Sequence, residues 1–152
     1  MTELGREIWY EKLRNLEGEA GVRHSVQFSS ALYIDTYGIV PAVRRAIARA
    51  LRAREVDPED SEILLDGSLK APDRFIFQKT IIRGDESEPI ISIASIAAKV
   101  KRDRLMKRLA LKYPEYGFEV HKGYGTQKHR DLIRILGVCD IHRKSFCHLK
   151  IV

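Results

Sequence analysis

Two aspartates stand where chemistry could use them. Asp66 closes the run EILLDG (62–67), in which Ile63, Leu64 and Leu65 are too few for a helix and unbroken by polar alternation. The pattern predicts a strand buried on both faces. Asp85 follows a second strand-like run, RFIFQKTII (74–82), and is preceded by Gly84. An Asp-Gly or Gly-Asp pair taken alone is a turn. Two acids at strand ends mean more, because ligands gather at the carboxyl ends of strands in open α/β sheets. Mg²⁺ and Mn²⁺ prefer hard carboxylate oxygens, and such an ion is usually bound through only one or two of them.

A polyanion would suit such a site. The chain carries 27 Lys and Arg against 21 Asp and Glu, a net +6 that biases it toward acidic polymers. Over 99–112 lie Lys99, Lys101, Arg102, Arg104, Lys107, Arg108 and Lys112 with a single acid, Asp103. One such run is usually a solvated helix face, but on a helical wheel Lys101, Arg104, Lys107 and Arg108 oppose Leu105, Met106 and Leu109, which predicts a basic ridge. The following stretch, YPEYGFEVHKGYGTQKH (113–129), interleaves Tyr113, Tyr116, Phe118 and Tyr124 with glycines and with His121 and Lys122. A glycine-rich turn packed by tyrosines explains it as well as a surface where a nucleic-acid backbone approaches closely and a ring stacks.

The elements that must position these residues follow from periodicity. Helices are predicted over 4–16, capped by Thr2, and over 39–54, with Pro41 early and an arginine face opposite an apolar stripe. A further helix over 89–112 has a first half apolar enough to be buried all round, and a last one covers 127–136, stopped by Gly137. Residues 22–29 alternate imperfectly as a half-buried strand would, and 33–37 connects to the second helix. The tail offers Ile141, Phe146 and Leu149 to pack back on the body. Cys139, Cys147, His142 and His148 match no common zinc-finger spacing, which leaves reduced thiols as the expectation. No apolar stretch approaches a membrane span and the first residues form no signal sequence, so the expected address is the cytoplasm, with no membrane partner.

In their order, LLDG, IIRGD, SIASIAAKVKRDRLM, YPEYGFEVHKGYGT and IHRKSF resemble ribonuclease HII, the type 2 ribonuclease H that nicks the RNA strand of RNA:DNA hybrids. The resemblance runs over about 63–146, with a weaker echo in the first two helices. It implies an α/β fold of the RNase H-like kind: a central mixed sheet, flanking helices and a helical C-terminal region. It further implies hydrolysis of RNA:DNA hybrid, or of DNA containing ribonucleotides, with the help of two Mg²⁺ or Mn²⁺ ions roughly 4 Å apart. Asp66 would then be the third catalytic, metal-holding acid and Asp85 the fourth. Tyr124 looks like the tyrosine that packs on the sugar next to the ribonucleotide, beside Gly123. Lys99, Lys101, Arg104 and Lys122 are the expected phosphate contacts.

One departure is large. The family's first two acids lie in an Asp-Glu-Ala-Gly-Arg-Gly motif, and no such motif occurs here; Gly18, Glu19, Ala20 and Gly21 lack the Asp-Glu pair. Met1 falls just after the segment that in the family precedes the first helix. The expectation is therefore one partial domain over 1–152 without its N-terminal strands, with an unpaired strand edge and little activity alone. A separate polypeptide could supply what is missing. The alternatives are a non-catalytic nucleic-acid-binding remnant, or an interaction protein that touches no nucleic acid.

Overall fold

A computed structural model describes residues 1–17 and 21–147. Gly18, Glu19 and Ala20, and the tail positions His148 and Leu149, lie outside the described residues. The first helix, α1 (Glu3–Leu16), starts where Thr2 accepts the Gly5 N–H at 3.1 Å, the cap expected of it. Its buried face carries Tyr10 and Leu13 against Ala97 and Val100 of the long helix α5 (Pro89–Lys112). Pro89 at the first position costs α5 no hydrogen bond.

Between them the chain departs from expectation twice. Residues 22–29 form no strand: a single bridge, Glu17 to Val22, stands in place of the predicted one. Val22 and Val26 pack directly on the α1–α5 core, so burial without pairing accounts for the alternation. The predicted connection contains a helix, α2 (Ala31–Tyr37), capped by the Ser30 hydroxyl, which accepts the Tyr33 N–H at 3.1 Å. Gly38, at a φ of +85°, turns the chain into α3 (Ile39–Ala53).

The sheet is small. β1 (Ile63–Asp66) pairs in parallel with β2 (Gln78–Ile81), with Ile63 opposite Gln78 and Asp66 opposite Ile81. β2 is shorter than the predicted 74–82 because Phe75 folds into the connecting loop as a plug. It is fully buried with Leu65 and Ala71, against Ile47 and Leu51 of α3. Burying a phenylalanine stabilises by roughly 1.5–3 kcal/mol, which is what lets a parallel crossover without a helix hold. Leu65 alone of the β1 residues is buried, where burial on both faces was expected. Among the described residues neither strand has a further neighbour, and Ile76, Phe77 and Ile82 around β2 are exposed.

After β2 a one-turn helix, α4 (Gly84–Ser87), leads into α5. The first half of α5 is not buried all round: Ile91 and Ala97 are, whereas Ile90 is 67% exposed and Ile93 39%. An apolar-all-round pattern reports what a helix could bury, and here α1 covers only one side. The chain closes with a short turn at 114–116, α6 (Phe118–His121) and α7 (Gln127–Leu136), the last capped by Thr126. Tyr116, Phe118 and Ala110 form their core, with Ile141 packed against it. Phe146, expected to pack back, is half exposed, while Asp35 of α2 ties the tail down by accepting the Lys144 and Ser145 N–H groups at 2.8 and 3.0 Å.

Candidate functional site

Asp66 and Asp85 meet through a glycine. β1 delivers Asp66 at the carboxyl end of the sheet, and its Oδ1 accepts the Gly84 N–H at 2.8 Å. Asp85 follows at once in the first turn of α4, exposed, its carbonyl held by the Ser92 hydroxyl of α5. Gly84 is buried at this junction. A Cβ there would lie 2.7 Å from the Ile91 Cδ1, so a side chain at position 84 would have to displace the end of Ile91, while its 3.6 Å from the Asp66 Oδ1 is ordinary contact.

Among the described residues no group of three or more His, Cys, Asp or Glu side chains could hold a metal by itself. The donor set nevertheless fits Mg²⁺ or Mn²⁺, which keeps several waters and takes one or two carboxylates, with phosphate oxygens completing the shell. Asp66 keeps its Oδ2 beyond the Gly84 bond, and Asp85 is open to solvent.

Tyr124 lies on the loop between α6 and α7, half exposed, between two cations of α5. The Lys99 ammonium donates to its hydroxyl and lies 4.4 Å from the ring centroid; the Arg102 guanidinium is 4.3 Å from the same centroid. The Lys99 hydrogen bond pulls the phenol below its ordinary pKa, with help from the Arg102 charge. Lys99 and Arg102 are three apart on α5 and so share a face, the signal by which Arg102 could have been added to the predicted contacts.

Behind them Asp103 is 3% exposed. It pairs with Arg6 of α1 at 3.0 Å, and Lys99 and Arg102 stand 3.9 and 3.8 Å from its Oδ1. The one acid in the basic run is thus its internal counter-ion.

The rest of the predicted contact set is arranged differently. The basic ridge faces α1, where Glu3, Glu7 and Glu11 form an acidic stripe. Arg104 is gripped by Glu7 at 3.1 Å and Glu11 at 2.8 Å, and Lys107 by Glu3 at 2.6 Å. Both carboxylates raise the Arg104 pKa. Lys101 lies 5.6 Å from the Tyr10 ring centroid. Lys122 is buried: its ammonium donates to the Glu119 carbonyl and lies 3.8 Å from Glu3. The Gly123 N–H is used internally, by His121. Of the four expected phosphate contacts, Lys99 alone touches the Tyr124 ring, with Gly123 the chain neighbour of Tyr124; charge patterning finds basic residues but not their partners.

Three histidines lie under the Tyr124 loop. His121, His129 and His142 are all buried, His121 stacked on His129 with centroids 4.1 Å apart and His129 Nε2 3.1 Å from His142 Nε2. Cys139 and His142, from the set that matched no zinc finger, do meet, with the thiol 3.1 Å from Nδ1. Burial and neighbouring histidine charge push the His129 and His142 pKa values down. No carboxylate among the described residues is hydrogen-bonded to these rings, whose other titratable neighbours are Tyr116 and Cys139. The unfolded chain takes up protons near pH 6.5 that the folded chain refuses, so this contribution to stability is complete above about pH 6.5 and is lost as the pH falls. A thermal midpoint that falls between pH 7 and 5, above the carboxylate range, is the expected result, and His129→Asn should flatten the fall.

A parallel strand pair with flanking helices, β1 ending in Asp66 and β2 leading through α4 into α5, is the architecture of an RNase H-like α/β protein. The sequence profile described as Ribonuclease HII matches residues 1–149. A ribonuclease HII of Bacillus cytotoxicus is 41% identical over 150 residues, covering 99% of this chain and 55% of its own. Those of Prochlorococcus marinus and a Synechococcus strain are 46% and 48% identical, over 78% and 77% of this chain and 61% and 59% of theirs. The chain belongs to the ribonuclease HII family, and it spans little more than half the length of these curated relatives.

Proposed function

We propose that this chain serves in the divalent-metal-assisted hydrolysis of the RNA strand of RNA:DNA hybrids, or of DNA containing ribonucleotides. The observation that carries the proposal is the Asp66–Gly84 hydrogen bond, which sets the acid at the end of β1 against the residue that precedes Asp85. Asp66 and Asp85 are the oxygen donors for Mg²⁺ or Mn²⁺. The bound ions would supply activation of the attacking water and charge stabilisation at the leaving oxygen. Tyr124 packs on the sugar at the cleavage point, and Lys99, with Arg102 behind the ring, meets the phosphate next to it. Arg104 and Lys122, neutralised from within, hold helices rather than substrate.

Two acids carry half the charge that the family's four would bring to bear, so these 152 residues cleave poorly alone. The remaining acids come from a segment bearing the Asp-Glu-Ala-Gly-Arg-Gly motif, in the same or another polypeptide.

Hybrid binding measured by fluorescence anisotropy from 50 to 200 mM salt tests the substrate class. Salt-weakened binding that is reduced by Tyr124→Ala is expected. Binding that ignores both salt and Tyr124 would overturn it. With Mn²⁺ present, adding the motif-bearing segment of a relative should raise cleavage of the hybrid. Binding that persists with no cleavage under any addition would favour a non-catalytic nucleic-acid binder.

A further inference from the structure

The backbone around Tyr124 is held by two buried histidine rings, one at the Tyr124 carbonyl and one at the amide of the residue before it. The Gly123 N–H donates to His121 Nδ1 at 3.2 Å, and the Tyr124 carbonyl lies 2.9 Å from His129 Nδ1. Backbone groups then dictate where every imidazole proton sits. A backbone N–H can only donate, so His121 Nδ1 is an acceptor and its proton is on Nε2, 2.7 Å from the Tyr116 carbonyl. The Cys139 N–H likewise donates to His142 Nδ1 at 3.0 Å, which leaves the His142 proton on Nε2. That proton points at His129 Nε2, 3.1 Å away, and His129 must keep its own on Nδ1. The result is a one-way chain, from Cys139 through His142 and His129 to the Tyr124 carbonyl, with each ring neutral and each nitrogen satisfied.

We propose that His129, set in its tautomer by His142, is a positioning residue for Tyr124: its Nδ1–H fixes the Tyr124 carbonyl and with it the ring between Lys99 and Arg102. The value of that placement for substrate rests on the function proposed above; the placement itself does not. A reversed His129 tautomer would turn a lone pair toward the carbonyl and a proton toward the His142 Nε2–H. Both contacts would then repel, and the loop would be free to leave the Lys99 face of α5. Stacking alone, as of His121 on His129, cannot discriminate between tautomers, whereas the two Nδ1 acceptors at His121 and His142 can.

Long-range proton–nitrogen correlation spectra of the ¹⁵N-histidine-labelled chain at pH 7.5 read the tautomers directly. His129 should be protonated on Nδ1, with His121 and His142 on Nε2; His129 protonated on Nε2, or on both nitrogens, overturns the proposal. Two variants test the positioning. His129→Asn places an amide N–H near the lost Nδ1–H, whereas His129→Gln carries its amide on to the Nε2 position. The glutamine variant should shift the Tyr124 ring and amide resonances and weaken hybrid binding by about as much as Tyr124→Ala, on the order of tenfold. The asparagine variant should restore both. If Tyr124→Ala weakens binding and His129→Gln changes neither binding nor the Tyr124 resonances, positioning is overturned. If Tyr124→Ala leaves binding unchanged, the substrate assignment fails and the Tyr124 resonances alone decide positioning. Should His129→Gln not fold, His129→Asn decides, with wild-type Tyr124 resonances supporting the proposal and displaced ones overturning it.

Discussion

Asparagine in place of Asp66 is expected to weaken Mn²⁺ binding about tenfold or more, with urea unfolding in the absence of metal changed by less than about 1 kcal/mol. The separation of the two effects follows from the Gly84 bond. An asparagine Oδ1 accepts the Gly84 N–H as the carboxylate does, so the junction between β1 and α4 keeps its geometry. What disappears is one negative charge and one hard oxygen donor. Cleavage supported by the motif-bearing segment should fall about a hundredfold or more, the scale on which removing a single charge-stabilising group is felt. Titration calorimetry with Mn²⁺ and a urea melt on the same preparation check both halves. Unchanged Mn²⁺ affinity would remove Asp66 from the metal site, and a large loss of stability would make its role structural.

The largest expected loss of stability belongs to Asp103→Ala. Asp103 is sealed between α1 and α5 with Arg6 at 3.0 Å, and the cations of Lys99 and Arg102 share its other oxygen. Removing it leaves the partly buried Arg6 facing two like charges with no counter-ion between them. Breaking a buried pair from one side costs about 3–5 kcal/mol, far more than the pair contributes net, because a charge stays behind without compensation. A urea denaturation curve with its midpoint shifted by that amount is the expected outcome. A loss under about 1 kcal/mol would mean that water reaches the site. Replacing Arg6 and Asp103 together by leucines should cost less than Asp103→Ala alone, since Arg6 is then not left opposite the cations of Lys99 and Arg102.

The sequence made the helices plain and the sheet less so. α1, α3, α5 and α7 were legible because their apolar residues recur with the helical period and carry ordinary end signals: Thr2 before α1, Pro89 opening α5 and Gly137 closing α7. Residues 22–29 misled because alternation records which side chains are buried and says nothing of hydrogen-bond partners. The site divides along the same line. Asp66 and Asp85 could be singled out as acids beside glycines, and the structure hydrogen-bonds the Asp66 carboxylate to the amide of Gly84, the residue before Asp85. Arg104 was not, since only the tertiary register of α1 against α5 sets Glu7 and Glu11 on it. His129 was missed for a like reason: nothing local in a helix's first turn tells that its ring will lie 2.9 Å from a carbonyl in the preceding loop.

The Gly84 junction has a further consequence. Asp66 is hydrogen-bonded to residue 84 and Asp85 is covalently next to it, so under the proposed function the two acids would act as the teeth of one chelate rather than as independent ligands. Once either carboxylate captures an ion, the other is presented at a high effective concentration without a further search, because the entropy of bringing them together was spent when β1 docked on α4. Metal capture at this corner would thereby be a by-product of folding, and breaking the Asp66–Gly84 bond would dissolve the proposed chelate while leaving both acids in the sequence.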